Sequence, residues 1–170
     1  MTEVADQAVL ELIDILDRQR ELYQRLLEIA KAKQPVLVKG DLAKLEEFTK
    51  QEEQIVVQVG KLEEQRSRVH QALANHFHFP EPEITLSEIA AKVSAELSDK
   101  LSQVGDGLKD TLNELKDVNN LNSVLIKQSL DYIEFTVNLI TSIGETPSYP
   151  EKPGELNREQ PRARIFDQKI

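Results

Sequence analysis

The sequence contains no cysteine and no tryptophan, and aromatic residues make up only 5% of its 170 positions. Without cysteine there can be no disulfide, no thiolate metal ligand and no redox chemistry on a thiol. No apolar run approaches the roughly 20 residues that cross a bilayer, so we expect no membrane insertion. Residues 1–6 carry acids where a signal peptide would carry bases, which leads us to expect a cytoplasmic protein.

Positive charge is also scarce. The chain has 21 Lys and Arg against 30 Asp and Glu, a formal net charge of -9. Nucleic acids and anionic membranes are therefore not expected as primary partners. Aliphatic residues, Glu, Lys, Gln and Asp dominate, a composition typical of helical bundles and coiled coils. One domain is expected, because a chain of about 150 residues buries roughly 70% of its unfolded surface.

Motifs for catalysis and metal binding are missing as well. Di-metal sites in bundles use Glu-x-x-His pairs, and none precedes His70, His76 or His78. The Gly-Asp-Gly segment 105–107 lacks the lysine and the flanking strand of a phosphate loop, and nothing resembles a nucleophile elbow. The many carboxylates at i, i+4 spacing from Lys and Arg are typical of a solvated helix surface. We predict no enzyme, no cofactor and no metal site.

Apolar residues recur every three or four positions over 4–38 and 42–75, which predicts two long amphipathic helices. Between them, Gly40 and Asp41 combine a C-terminal glycine with an N-cap, the pattern of a tight turn between antiparallel helices. Pro35 predicts a kink or a break near the end of the first helix, because proline removes one intrahelical hydrogen bond.

Two charged residues, Glu52 and Arg66, interrupt the apolar seam of the second predicted helix. If the two helices fold back at the predicted turn, Arg66 is expected near Glu11 and Asp14, and Glu52 near Tyr23. Alternatively, both long side chains extend to solvent.

Prolines predict a loop over 76–83 after the second helix. Thr85 and Glu88 then form a capping box, so a helix is expected to begin directly after Thr85. Its apolar pattern runs into the two glycines of segment 105–107, each costing about 1 kcal/mol relative to alanine in a helix. Two outcomes stay open: a short helix that stops near Ser94 followed by a long helix through both glycines, or a break at the glycines.

The last helix is predicted over 108–143 and carries two apolar stripes. The first contains Asn119 and Asn122, which indicate either buried polar groups that set helix register or part of a partner site. The second lies about 100° away and consists of Val118, Leu121, Leu125, Tyr132, Leu139 and Ile143. A three-helix contact does not need both stripes. We therefore predict that the second binds a partner, or is covered by the short helix, the tail or a second subunit.

These patterns predict an all-α fold, an antiparallel helical bundle of three long helices plus a short connecting helix, in a domain spanning 1–144. Residues 145–170 contain four of the seven prolines and balanced charge. Such a composition favours an extended C-terminal tail that is flexible or docks conditionally.

Several short motifs, each weak alone, occur in an order and spacing that resemble the FlgN family of flagellar export chaperones over nearly the whole chain. In chain order they are Lys39-Gly40-Asp41-Leu42, Leu62-Glu63 with Arg66, Thr85-Leu86, Asn119-x-x-Asn122-x-x-Leu125, Ser129-Leu130-x-Tyr132, Tyr149 and Phe166-Asp167. The order carries the resemblance, because Asn-x-x-Asn alone occurs in many helices.

The resemblance implies a cytoplasmic helical chaperone without cofactor or catalytic residues. It would bind the C-terminal helical regions of the hook-filament junction proteins FlgK and FlgL, prevent their premature assembly and deliver them to the flagellar type III export apparatus. From periodicity, we predict the partner-binding residues to be Val118, Asn119, Leu121, Asn122, Leu125, Tyr132 and Leu139. The alternative is a non-enzymatic bundle adaptor or an oligomerising coiled-coil protein, and a homo-oligomer is left open.

Overall fold

The computed structural model describes residues 2–79 and 84–143, and this part of the chain is helical apart from short connections. Its helices are α1 (Thr2–Lys39), α2 (Leu42–His76), α3 (Leu86–Ala90) and α4 (Ala95–Ile143). Within the described ranges there is no strand, which confirms the all-α prediction. The predicted tail, 145–170, lies outside the described residues.

The chain divides into two compact units, Met1–Glu134 and Phe135–Ile170. The second unit is described only through the last residues of α4, as far as Ile143. The predicted domain boundary at 144 stays a prediction. All side-chain contacts between helices described below belong to the first unit.

The predicted turn between α1 and α2 is confirmed. Gly40 adopts φ +70°, its N–H donates to the Leu37 carbonyl at 3.3 Å, and the Asp41 N–H donates to the Val36 carbonyl at 3.2 Å. These two bonds form a Schellman motif that satisfies carbonyls left over at the end of α1. The Asp41 carboxylate then caps α2 by accepting from the Lys44 N–H at 3.1 Å.

Replacing Gly40 by alanine should lower the free energy of unfolding by about 1 kcal/mol, because a left-handed conformation is costly for a residue with a Cβ. No atom lies within 4 Å of the added Cβ, so the cost is one of backbone conformation alone. Gly60 is the matched control, since it lies inside α2 with equally open surroundings. Gly60→Ala should raise stability by up to about 1 kcal/mol. Urea unfolding of both variants checks the opposite signs.

Two polar contacts give the antiparallel register of α1 and α2. The Gln19 amide Nε2 donates to Glu63 Oε2 at 3.0 Å, and Lys33 Nζ lies 3.0 Å from both carboxylate oxygens of Glu52. The residue number thus rises along α1 as it falls along α2. Both predicted contacts of the interrupting charges are wrong. In the described part of the chain, Arg66 pairs with Glu63 on its own helix, and the partner of Glu52 is Lys33, ten residues beyond Tyr23.

Helix α4 runs parallel to α1. The buried Asn122 donates from Nδ2 to the Ala30 carbonyl at 2.8 Å, and Ser129 Oγ lies 3.5 Å from the Leu37 carbonyl. In both contacts the α4 residue number exceeds the α1 residue number by 92. The two helices therefore keep the same register over two helical turns. Asn122 is therefore the polar register residue that the sequence predicts.

Helix α1 continues through Pro35 to Lys39, so the alternative of a break at this proline is wrong. The glycines of α4 behave similarly, since α4 begins at Ala95 and continues through both of them. A Cβ on Gly105 would lie 3.2 Å from Leu86 Cδ1, and one on Gly107 would lie 2.9 Å from an Arg20 guanidinium nitrogen. Glycine at these positions lets α3 and the Arg20 side chain of α1 approach α4 closely.

The capping box that precedes α3 is confirmed. The Glu88 carboxylate accepts from the Thr85 N–H at 2.8 Å, and the Thr85 hydroxyl accepts from the Glu88 N–H at 3.2 Å. The hydrogen bonds from Thr85 lower the pKa of Glu88 from its ordinary value. The short helix is therefore anchored at its start, and Ile89, 0% exposed, holds it against the core.

The hydrophobic core lies toward one end of the first unit. It combines the first part of α1, α2 from Ile55 onward, α3 with the residue Ile84 before it, and the first part of α4. Its members are Val9, Leu12, Ile15, Leu16, Leu22, Ile55, Leu62, Val69, Leu73, Ala74, Ile84, Ile89, Leu97, Leu101 and Leu108. We call this end of the first unit the closed half. The remainder, residues 23–54, Val56 and residues 109–134, is called the open half. Only α1, α2 and α4 contribute to it.

Candidate partner-binding surface

Apolar side chains are unusually exposed in the open half. Those on α4 are Leu112 at 38%, Leu121 at 49%, Val124 at 51%, Ile126 at 43%, Leu130 at 60%, Tyr132 at 70% and Ile133 at 57%. Exposed apolar residues near the turn and on α2 are Val38 at 71%, Leu42 at 77% and Val56 at 56%. Exposed apolar side chains grouped on one part of a protein often mark a surface that binds a partner.

The structure separates the residues that the sequence predicts to bind a partner. Leu121 and Tyr132 are exposed, Val118 and Leu125 are half-buried, Asn119 is exposed and Asn122 is buried. Leu139 lies in the second unit and is 49% exposed there. The prediction of a buried Asn119 is wrong, whereas that of a buried Asn122 is confirmed. Asn122 Oδ1 has no hydrogen-bond partner among the described residues.

Asn122 is buried and Asn119 is exposed because of where α4 contacts α1. Beyond the core, the buried and half-buried positions of α4 within the first unit are Thr111, Leu115, Val118, Asn122, Leu125 and Ser129. They follow helical spacing and run between the two predicted stripes. Some residues of each stripe therefore contact α1. The other residues of the two stripes are exposed, those of one stripe on one side of the contact and those of the other stripe on the opposite side.

One exposed side of α4 faces α2 across a depression that we call the groove. Its floor is α1, through Leu26, Lys33 and Leu37. The groove consists of two adjoining hollows of about 400 and 340 Å³ that share Lys33. Its walls are formed by Leu42, Leu45, Thr49, Glu52 and Val56 of α2 and by Leu115, Asn119, Ile126, Ser129, Leu130 and Ile133 of α4. By periodicity, Ile126 and Ile133 belong to the apolar stripe of Asn119 and Asn122, and the sequence alone does not identify them as groove residues. A sequence signal for the groove does exist: Leu42 and Val56 are apolar residues on an otherwise polar side of α2.

The other exposed side of α4 borders a second depression, which we call the outer recess. It has a volume of about 410 Å³ and lies beside the end of α1. Its α4 residues include Leu125 and Tyr132, two of the sequence-predicted partner-binding residues. The predicted residues Leu125 and Tyr132, with their neighbour Leu121, thus lie at the outer recess, whereas Asn119 lies on the groove wall. Ser129 and Ile133 line both depressions.

A salt bridge crosses the floor of the groove. Lys33 Nζ lies 3.0 Å from the Glu52 carboxylate, and the two side chains are 18% and 23% exposed. A half-buried ion pair is stable only beside other polar groups or water, because an unpaired charge away from water is energetically unfavourable. The groove is therefore apolar near the turn and polar at its middle.

A polar cleft in the closed half surrounds His70 and is lined by Glu63, Arg66, Ser67, Gln71, Ile84 and Thr85. Burial lowers the pKa of His70, and the nearby Arg66 lowers it further. Its Nε2 has no hydrogen-bond partner among the described residues. Across the described ranges, no group of three His, Asp or Glu side chains is placed to hold a metal ion.

The lowered pKa of His70 predicts a pH dependence of stability. In the unfolded chain this imidazole titrates near 6.5, and in the folded chain it titrates lower. The unfolded state therefore takes up the proton first. This contribution to stability is complete above the unfolded pKa and is lost progressively as the pH falls toward the folded pKa. Urea unfolding between about pH 7.5 and pH 5.5 should show the decrease, and His70→Gln should make the curve flatter. An unchanged slope in that variant would contradict the assignment.

Among the described helices, none has the length and apolar character needed to cross a membrane.

The family model described as FlgN protein matches residues 1–154 of the chain. An uncharacterized protein of Bacillus subtilis (strain 168), YvyG, is 22% identical over 158 residues, which cover 93% of this chain and 96% of that protein. No solved structure matches the chain.

Proposed function

Because the chain belongs to the FlgN family of flagellar export chaperones, we propose that it binds the C-terminal helical regions of hook-filament junction proteins of the FlgK and FlgL type in the cytoplasm. It prevents their premature assembly and delivers them to the flagellar export apparatus. The observation that supports this role best is the exposed apolar surface of α4 in the open half, from Leu121 to Ile133.

The proposed mechanism is masking. Cargo helices that pack against neighbours in a filament carry an apolar face, and in the cytoplasm that face would associate prematurely. Burial of apolar surface contributes roughly 25 cal/mol per Å², so a matching apolar surface on the chaperone competes with self-association. The step requires contact and release but no bond chemistry, which fits the expectation that this chain is neither an enzyme nor dependent on a cofactor or metal.

We propose distinct roles for the sequence-predicted residues. Leu121 and Tyr132 make direct apolar contact with cargo, and the half-buried Val118 and Leu125 form the edge of that contact. Asn122 acts indirectly, because its hydrogen bond to Ala30 holds α4 on α1. Asn119 lies on the wall of the groove, and Leu139 adds apolar surface within the second unit.

The test is co-expression of the tagged full-length chain with a FlgK-like or FlgL-like protein from the same host, either intact or lacking its C-terminal helical region. We expect affinity purification to retain the intact cargo at a defined ratio and to lose the truncated one. Equal retention of both forms, or of neither, would contradict the proposal. Self-association without cargo binding in light scattering would favour the oligomerising coiled-coil alternative.

A further inference from the structure

The groove has the dimensions of a missing helix. Its floor and two walls come from α1, α2 and α4, three sides of a four-helix arrangement. Along α4, its lining runs from Leu115 to Ile133, which corresponds to about 27 Å at 1.5 Å per residue. A single α-helix of about 18 residues would extend over this length and pack at the usual interaxial distance of about 8–10 Å.

The α4 rim of the groove is mostly basic, because Lys116 and Lys127 border it and the acidic Glu134, four residues after Leu130, lies only at its far end. Lys116 lies four residues after Leu112 and three before Asn119, and Lys127 lies three residues before Leu130. Residues with this spacing are neighbours on a helix surface, so both lysines border the groove wall. Both are exposed, and within the described ranges neither forms an ion pair.

The α2 rim is acidic. Glu46 lies four residues after Leu42 and three before Thr49, and Glu53 lies four residues after Thr49 and three before Val56. The same spacing rule places both carboxylates beside the α2 wall. Both are exposed. Glu46 also pairs with Lys50 on its own helix at 2.8 Å, and that pair is solvent-exposed.

We propose that the groove binds one amphipathic helix of the export cargo in a single direction, selected by the opposite charges of its two rims. The preferred helix has acids along the edge that meets Lys116 and Lys127 and bases along the edge that meets Glu46 and Glu53. Turning the helix end over end exchanges its edges and brings like charges together. The proposal rests on the proposed function, because it takes the occupant to be a cargo helix.

The size of the effect follows from exposed ion pairs. Each is weak alone, but four of them change from attraction to repulsion when the helix reverses. We expect a preference of about tenfold for one direction in low salt. The preference should disappear in 1 M salt, where the screening length falls to about 3 Å. Apolar contacts with Ile126 and Leu130 do not distinguish the two directions.

The experiment uses two synthetic peptides of 18 residues whose helicity is confirmed by circular dichroism. Both have a Leu and Ile stripe with Glu along one edge and Lys along the other, and the second peptide has the edges exchanged. Each has a cysteine on a short N-terminal linker. Because the chain has no cysteine, each of two variants contains a single thiol. Ala43→Cys places it near one end of the α2 wall, and Val57→Cys places it near the other end. Disulfide trapping then reports the direction of the bound peptide.

In low salt, we expect the first peptide to be trapped at one of these positions about tenfold more than at the other, and the second peptide to show the opposite preference. Reversing the rims with Lys116→Glu, Lys127→Glu, Glu46→Lys and Glu53→Lys should exchange both preferences. As a control, Ile126→Asp with Leu130→Asp should weaken the binding of both peptides in fluorescence anisotropy.

Four results would overturn the proposal. Three of them are equal trapping at both positions, an unchanged preference after rim reversal, and no binding of either peptide. The fourth is that the peptides bind only when a dimer of the chain dissociates. That result would show that a second copy of the chain occupies the groove. If any of these occurs while the tagged chain still retains intact cargo, the proposed function stands and only the directional groove fails. Loss of cargo retention itself would instead remove the proposed function.

Discussion

Leu101→Ala should lower the free energy of unfolding by about 2–5 kcal/mol, the usual cost of removing a large aliphatic side chain from a packed core. Leu101 is 0% exposed and lies in the closed half, where α4 meets the core cluster. The surrounding helices cannot collapse fully into the space, so loss of contacts adds to loss of burial. Urea unfolding monitored by circular dichroism measures the change.

The matched control is Leu130→Ala on the same helix. Leu130 is 60% exposed and lies on the groove wall of the open half. The same deletion should therefore change the free energy of unfolding by no more than about 0.5 kcal/mol. A comparable loss at both positions would show that the open half contributes to the core as much as the closed half does.

This pair of variants tests whether the closed half of the first unit provides most of its stability while the open half provides the binding surface. The closed half contains α3 and nearly all of the fully buried side chains. In the open half, α4 is attached to α1 through a line of buried and half-buried residues, the Asn122 hydrogen bond and the exposed Lys31–Glu114 ion pair. Apolar surface left uncovered there costs the isolated protein little stability, and it is available to bind a helical partner.

The local features of the fold could be predicted from the sequence because their signals are local. A glycine followed by aspartate predicts the turn at Gly40, since one residue supplies the left-handed conformation and the next supplies the cap. Thr85 and Glu88 predict the start of α3 in the same way. The all-α class follows from periodicity, which both long helices and α4 show clearly.

Contacts between helices could not be predicted as well. Periodicity gives the angle of an apolar stripe around its own helix, but it does not tell which neighbour covers that stripe. On α4 two stripes were present, and the contact with α1 falls between them, so Asn122 is buried whereas Asn119 is exposed. The register of Lys33 with Glu52 depends on how the hairpin packs along its whole length, and no local motif encodes it.

The continuity of α4 illustrates a second limit. Two glycines close together predict a weak point in a helix, and the sequence left a break there open. The structure shows what offsets that tendency: Leu86 and Arg20 approach positions where a Cβ would crowd them. Such a reason exists only after α1 and α3 have been placed against α4, so it lies beyond reasoning from one segment.

The largest effect on binding is expected from Leu121→Asp combined with Tyr132→Asp, which should weaken cargo binding at least a hundredfold, or about 2.7 kcal/mol. Each substitution places a carboxylate in a surface that must become dry, where unpaired charge is strongly unfavourable. The two side chains are 49% and 70% exposed, so the fold should be unaffected. Leu125 is unsuitable for this test, because it is half-buried beside α1 and its loss would disturb packing.

Asn113→Asp with Asn120→Asp is the charge-matched control, since it adds the same two negative charges at exposed polar positions of α4. Titration calorimetry with FlgK-like cargo should show binding within about twofold of the original chain for this control, and helicity by circular dichroism should be equal in all three proteins. If both double variants bind equally weakly, added negative charge is the cause and the apolar contact is not. If Leu121→Asp with Tyr132→Asp binds as tightly as the original chain, cargo does not use the outer side of α4, and the groove becomes the remaining apolar surface of the open half that can bind it.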